Sequence, residues 1–116
     1  MSNNQDTSRY VKAVDRQDLP PGTMKGVEIG GCQLLLVNVK GHIYACEGRC
    51  PHAGALLAQG ELNKSQVKCP RHGSVFDVTN GRVQQPPARD DLRTFEVREE
   101  NGEISVCLPG HLVRPN

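Results

Sequence analysis

Cys46-Glu47-Gly48-Arg49-Cys50-Pro51-His52-Ala53-Gly54 and, further on, Cys69-Pro70-Arg71-His72-Gly73-Ser74-Val75-Phe76-Asp77 carry the reading of this chain. Within them stands a Cys-x-His pair, Cys50 and His52. After sixteen intervening residues comes a Cys-x-x-His pair, Cys69 and His72. Each half offers one thiolate and one imidazole among Pro and Gly. Two soft sulfurs and two nitrogens can hold Zn²⁺ or an iron–sulfur cluster. Zinc fingers usually space their ligands Cys-x₂₋₄-Cys and His-x₃₋₅-His, which a Cys-x-His pair fits poorly. The spacing suits a larger object, in which the thiolate and the imidazole of one half bind two different metal ions.

The same stretch resembles the Rieske [2Fe-2S] family, whose two loops read Cys-x-His and Cys-x-x-His. The wording Cys-Pro-His-x-Gly and Cys-Pro-x-His-Gly-x-x-Phe-Asp is similar to that of soluble Rieske ferredoxins. More weakly, the likeness runs from about Tyr10 to Leu108. It implies one [2Fe-2S] cluster per chain, with Cys50 and Cys69 on one iron and His52 and His72 on the other. In the family the histidines sit at the surface, so His52 and His72 become the expected exit for the electron. A proline loop lies against the cluster in the family, and Pro86 and Pro87 match it.

Pro51 and Pro70 fix φ beside each Cys ligand. Gly54 and Gly73 let backbone approach the sulfurs, and successive N–H groups in such turns cradle anionic atoms. Two neutral imidazoles in place of two thiolates make the centre less negative. That raises its potential from the ~−400 mV of plant-type ferredoxins to ~−150 mV or above. High-potential members of the family carry a disulfide between the two loops, at positions that here are Ala55 and Arg71. They also place a Ser and a Tyr hydroxyl near the cluster. Ser74 matches the Ser, but the Tyr position is Phe76. A low-potential centre is the expectation. Arg49, Lys68 and Arg71 flank the ligand pairs. They read either as solvated charges or as a docking face for an acidic partner.

The chain has 116 residues, about one domain. With no Trp, two Tyr and two Phe its core is thin, and a metal helps to stabilise so small a fold. A formal charge of +1 gives no sign of nucleic-acid binding. No apolar run is long enough for a membrane helix. The polar start lacks the features of a signal peptide, so a cytoplasmic monomer is expected. Five cysteines argue against a full disulfide framework. Cys32, Cys46 and Cys107 are left over and read as small hydrophobes. His42 and His111 read as ordinary surface residues.

Short strands separated by Gly and Pro turns predict an all-β sandwich or barrel. Strands are expected at Tyr10–Val14, Met24–Ile29, Gln33–Val39, His42–Ala45, about Glu61–Leu62, Gln66–Lys68, Ser74–Val78, Leu92–Arg98 and Glu103–Leu108. Gly30-Gly31, Lys40-Gly41, Asn80-Gly81 and Asn101-Gly102 read as turns. Gln84-Gln85-Pro86-Pro87-Ala88 is expected to stay outside any ladder. The reading divides the chain into a frayed segment 1–8, a domain 9–108 with an inserted cluster lobe at about 45–80, and a tail 109–116.

The resemblance implies a soluble electron carrier with no substrate chemistry of its own. It would pass single electrons from a flavin-dependent NAD(P)H reductase to a terminal oxygenase. No Gly-x-Gly-x-x-Gly fingerprint and no second metal motif is present. Two other functions fit the same residues. One is the small subunit of an assimilatory nitrite reductase, and the other is a zinc-stabilised interaction module.

Overall fold

In the computed structural model, which describes residues 9–109, all strand pairings are antiparallel. The strands are β1 (Arg9–Asp15), β2 (Met24–Ile29), β3 (Cys32–Val39), β4 (His42–Glu47), β5 (Glu61–Asn63), β6 (Gln66–Lys68), β7 (Val75–Asp77), β8 (Val83–Gln85), β9 (Thr94–Phe95), β10 (Val97–Glu100) and β11 (Glu103–Leu108). They form three sheets, ordered β1-β11-β10, β2-β3-β4-β9 and β5-β6-β7-β8. Single 3₁₀ turns lie at Arg16–Asp18 and Leu57–Gln59. The all-β expectation holds. The segments 1–8 and most of the tail, with His111, lie outside the described residues.

β3 decides where the core sits. Leu34, Leu35, Leu36, Val37 and Asn38 are all buried, as in a strand covered on both faces. Alternation sends Leu35 and Val37 into one apolar cluster and Leu34 and Leu36 into another. The first cluster also contains Cys50, Cys69, Leu57, Val67 and Phe76. The second contains Val14, Ile104, Val106 and Leu108 from the paired chain ends. One central strand therefore backs both the base of the fold and the two cysteine loops. Gly30-Gly31 and Lys40-Gly41 take positive φ at both hairpin turns that bound β3, which fixes its register. Asn38 is polar yet fully buried. Its Nδ2 donates to the Leu19 carbonyl (2.8 Å) and its Oδ1 accepts the Gly41 N–H (2.7 Å), so both ends of the amide are satisfied.

Two expectations about strands need correction. Leu92–Arg98 is not one strand. Thr94–Phe95 pairs with β4, whereas Val97–Glu100 pairs with β11. The chain changes sheets at Glu96, whose carbonyl accepts the Cys107 N–H (2.8 Å) and whose carboxylate accepts the Tyr10 hydroxyl (3.0 Å). Gln84 and Gln85 do join a ladder, as part of β8 beside β7, with an irregular register between Val75 and Phe76. They keep their N–H groups, so the ladder ends only where Pro86 lacks one. The third sheet thus runs to Gln85.

Candidate metal centre

Both cysteine loops are built to one plan. Cys50 N–H donates to the Ala55 carbonyl (2.9 Å), and Cys69 N–H donates to the Ser74 carbonyl (2.8 Å). In each case the acceptor lies five residues on. Four residues after each Cys comes a left-handed glycine, Gly54 at φ +71° and Gly73 at φ +82°. A Cβ there would strain the turn. Gly54 N–H also donates back to the Cys50 carbonyl (2.7 Å).

The first loop leaves β4 through Gly48, whose N–H donates to the Gln33 carbonyl (2.8 Å). A Cβ on Gly48 would press at 2.9 Å on the Gln33–Leu34 backbone. The bridge between Arg49 and Leu56 then closes the neck of the loop. Lys68, at the end of β6, delivers the second loop. Fully buried Ser74 accepts the Ala88 N–H on its Oγ (2.9 Å), and Gln85 Nε2 donates to the Gly73 carbonyl (3.2 Å). The proline stretch is thereby tied across the second loop. Its Pro86-Pro87 peptide is cis.

Cys50 and Cys69 are each 2% exposed and share one apolar cluster. His52 and His72 are exposed, with ring centroids 5.4 Å apart in an edge-to-face arrangement. The four expected donors therefore come to one end of the fold as two buried sulfurs and two surface imidazoles. Among the described residues no three Cys, His, Asp or Glu side chains are placed to hold one metal ion.

The other cysteines differ in kind. Cys46 is fully buried, and desolvation pushes its thiol up to about 12. A thiol so reluctant to ionise is a poor nucleophile. Cys32, whose thiol burial also raises, and Cys107 are half-buried. His42 is exposed on β4.

Lys68, Pro70 and Arg71 are exposed on the second loop and Arg49 on the first. Arg49 and Arg71 line one groove together with Gly54 and Pro70. Lys68 and Arg71 line its neighbour. The three expected docking cations are thus all exposed and line two grooves that share Pro70 and Arg71. Sequence reasoning missed that Arg49 Nη1 donates to the Gly54 carbonyl (2.8 Å). It also missed that Ser74 holds the proline stretch.

The Rieske [2Fe-2S] domain pattern matches residues 9–96. The ferredoxin component of the naphthalene 1,2-dioxygenase/salicylate 5-hydroxylase systems of Ralstonia sp is 34% identical over 102 residues, covering 88% of this chain and 98% of its own. Apoptosis-inducing factor 3 of Mus musculus is 37% identical over 90 residues, 78% of this chain, but the chain spans only 15% of that protein. A chain in the solved complex of reduced oxygenase and oxidized ferredoxin in carbazole 1,9a-dioxygenase matches with a TM-score of 0.79 at 33% identity. That match covers 87% of this chain and 93% of the other. With this family match over residues 9–96 and these relatives, the chain belongs to the Rieske [2Fe-2S] domain family, and its cofactor is a [2Fe-2S] cluster.

Proposed function

We propose that this protein is the ferredoxin of a ring-hydroxylating dioxygenase system, carrying single electrons from a flavin-dependent NAD(P)H reductase to the terminal oxygenase. The observation that carries the reading is the pairing of two buried cysteines with two exposed, adjacent histidines. Its near end-to-end match to a ferredoxin component, 98% of that protein's length, supports the same reading. Cys50 and Cys69 would hold one iron, and His52 and His72 the other. The cluster, when bound, takes up and returns one electron. The chain keeps the cysteine side from water and offers the histidine side to a partner. It performs no substrate chemistry of its own. The solved oxygenase–ferredoxin complex of the carbazole system supports such docking. A cytoplasmic site of action is part of the proposal. Among the described residues no helix is long and apolar enough to cross a membrane.

The reduction potential follows from what the site lacks. Ala55 and Arg71 cannot form a disulfide between the loops. Phe76, fully buried beside the cysteines, offers no hydroxyl. The centre is expected to titrate near the low end of the Rieske window, about −150 mV, in spectroelectrochemistry. A midpoint above roughly +200 mV would contradict the argument from those three positions.

Lys68 and Arg71 supply the docking charge. Stopped-flow mixing of reduced ferredoxin with its oxygenase tests carrier and docking together. Wild type should deliver its electron, and the Lys68→Glu, Arg71→Glu double variant should deliver it more slowly. The gap should narrow as salt rises, because screening weakens steering. No electron delivery by wild type sinks the carrier reading. Equal rates at low salt leave the carrier intact and remove the docking face.

A further inference from the structure

We infer that Arg49 and Gln85 are a matched pair of latches that position the two cluster-binding loops from outside, an inference that rests on the ligand reading above. The two loops share the same backbone plan, with a left-handed glycine four residues after each cysteine. In both, the carbonyl of that glycine accepts a hydrogen bond from a side chain that lies outside the segment between the cysteine and the glycine. Arg49 Nη1 reaches the Gly54 carbonyl at 2.8 Å. Gln85 Nε2 reaches the Gly73 carbonyl at 3.2 Å. Arg49 precedes its loop, whereas Gln85 comes from β8, twelve residues beyond Gly73. Different residue types at unrelated sequence positions thus meet the same atom of the same motif.

The latched atom matters because glycine alone does not hold it. A left-handed glycine has no side chain to pack, and its backbone visits both signs of φ at little cost. The peptide that follows it is therefore free to turn unless something holds its carbonyl. A planar trans peptide carries its C=O and N–H on opposite sides. Fixing the Gly54 carbonyl outward sends the Ala55 N–H inward, and Ala55 is buried in the cluster that contains Cys50 and Cys69. Fixing the Gly73 carbonyl does the same for the N–H of fully buried Ser74. The latches thus set the direction of one backbone donor per loop on the cysteine side. Hydrogen bonds around a cluster tune its potential and its retention.

The test uses the holoprotein carrying Arg49→Ala, Arg49→Lys, Gln85→Ala, or both alanine changes. Cluster release is followed by visible absorption under an iron chelator, and the reduced-state EPR line shape is recorded without any partner present. Each alanine variant should release its cluster about five-fold faster than wild type, as expected for one lost hydrogen bond. Their EPR lines should broaden, since an unlatched loop samples more than one conformation. The double variant should exceed either single one. Arg49→Lys, which keeps a donor and the charge, should recover part of the loss. Should Arg49→Ala fail to fold, Gln85→Ala and Arg49→Lys still test the pair, and unchanged release and EPR in both would overturn it. Unchanged release and line shape in Arg49→Ala, with slower salt-dependent delivery to the oxygenase, would make Arg49 a docking charge only. Wild type lacking two irons per chain would fail the ligand reading itself.

Discussion

Cys50→Ser and Cys69→Ser are each expected to abolish the visible absorption of the protein and to lower its melting temperature sharply, whereas Cys46→Ser keeps the cluster. A serine hydroxyl is a harder, far less acidic donor than a thiol and replaces it poorly on iron. Because both cysteines are 2% exposed and sit within one apolar cluster, losing the metal removes the link that ties the two loops together. Metal binding of this kind is coupled to folding, in a chain of a size whose whole stability is about 5–15 kcal/mol. Cys46 lies in the same cluster, but its thiol is pushed up to about 12 by burial. Replacing that sulfur by a hydroxyl buries a polar group, at a cost of about 1–3 kcal/mol, with no ligand lost. Iron content by chelator assay and thermal melts by circular dichroism separate the cases. Iron lost from Cys46→Ser but retained by Cys50→Ser would reverse the assignment.

The sequence made the middle sheet legible because its signals are local. Gly30-Gly31 and Lys40-Gly41 announce the hairpin turns by composition alone, and the apolar run of β3 announces burial on both faces. Ligand candidates were legible for the same reason, since Cys-Pro-His and Cys-Pro-Arg-His are contiguous words. What stayed hidden depends on partners far along the chain. The change of sheet at Glu96 is set by Tyr10 and Cys107, and no feature of Leu92–Arg98 reveals it. Gln84 and Gln85 read as loop because two prolines follow them, yet β7 provides a ladder up to the first proline. Ser74 was legible as a hydroxyl near the centre, but its bond to Ala88 crosses fourteen residues. Arg49 reads as a free charge until the Gly54 carbonyl is seen 2.8 Å away.

Gly60→Ala should be strongly damaging although it lies outside the proposed ligands, costing roughly 3 kcal/mol and leaving the protein short of iron. Gly60 joins the Leu57–Gln59 turn to β5, and the space around it is what excludes a side chain. A Cβ there would overlap the carbonyl oxygen of Lys68 and crowd the Leu57 carbonyl at 3.3 Å. Both obstacles are backbone, so no side-chain rotation relieves them. The Lys68 carbonyl belongs to the peptide that leads directly into Cys69. Leu57 is fully buried and Cys69 nearly so, within the same cluster, so neither neighbour can retreat into open space. Glu61 pairs with Lys68 across β5 and β6, and parting those strands would tilt the second ligand loop. Gly22→Ala is the matched control. It has open space around its missing Cβ but a φ of +81°, so it should cost only the left-handed penalty of about 1–2 kcal/mol. At roughly 5 °C per kcal/mol for a domain of this size, Gly60→Ala should melt well below Gly22→Ala and bind less iron per chain. Equal melting temperatures and equal iron in the two variants would show that the Lys68–Cys69 peptide can move without disturbing the centre.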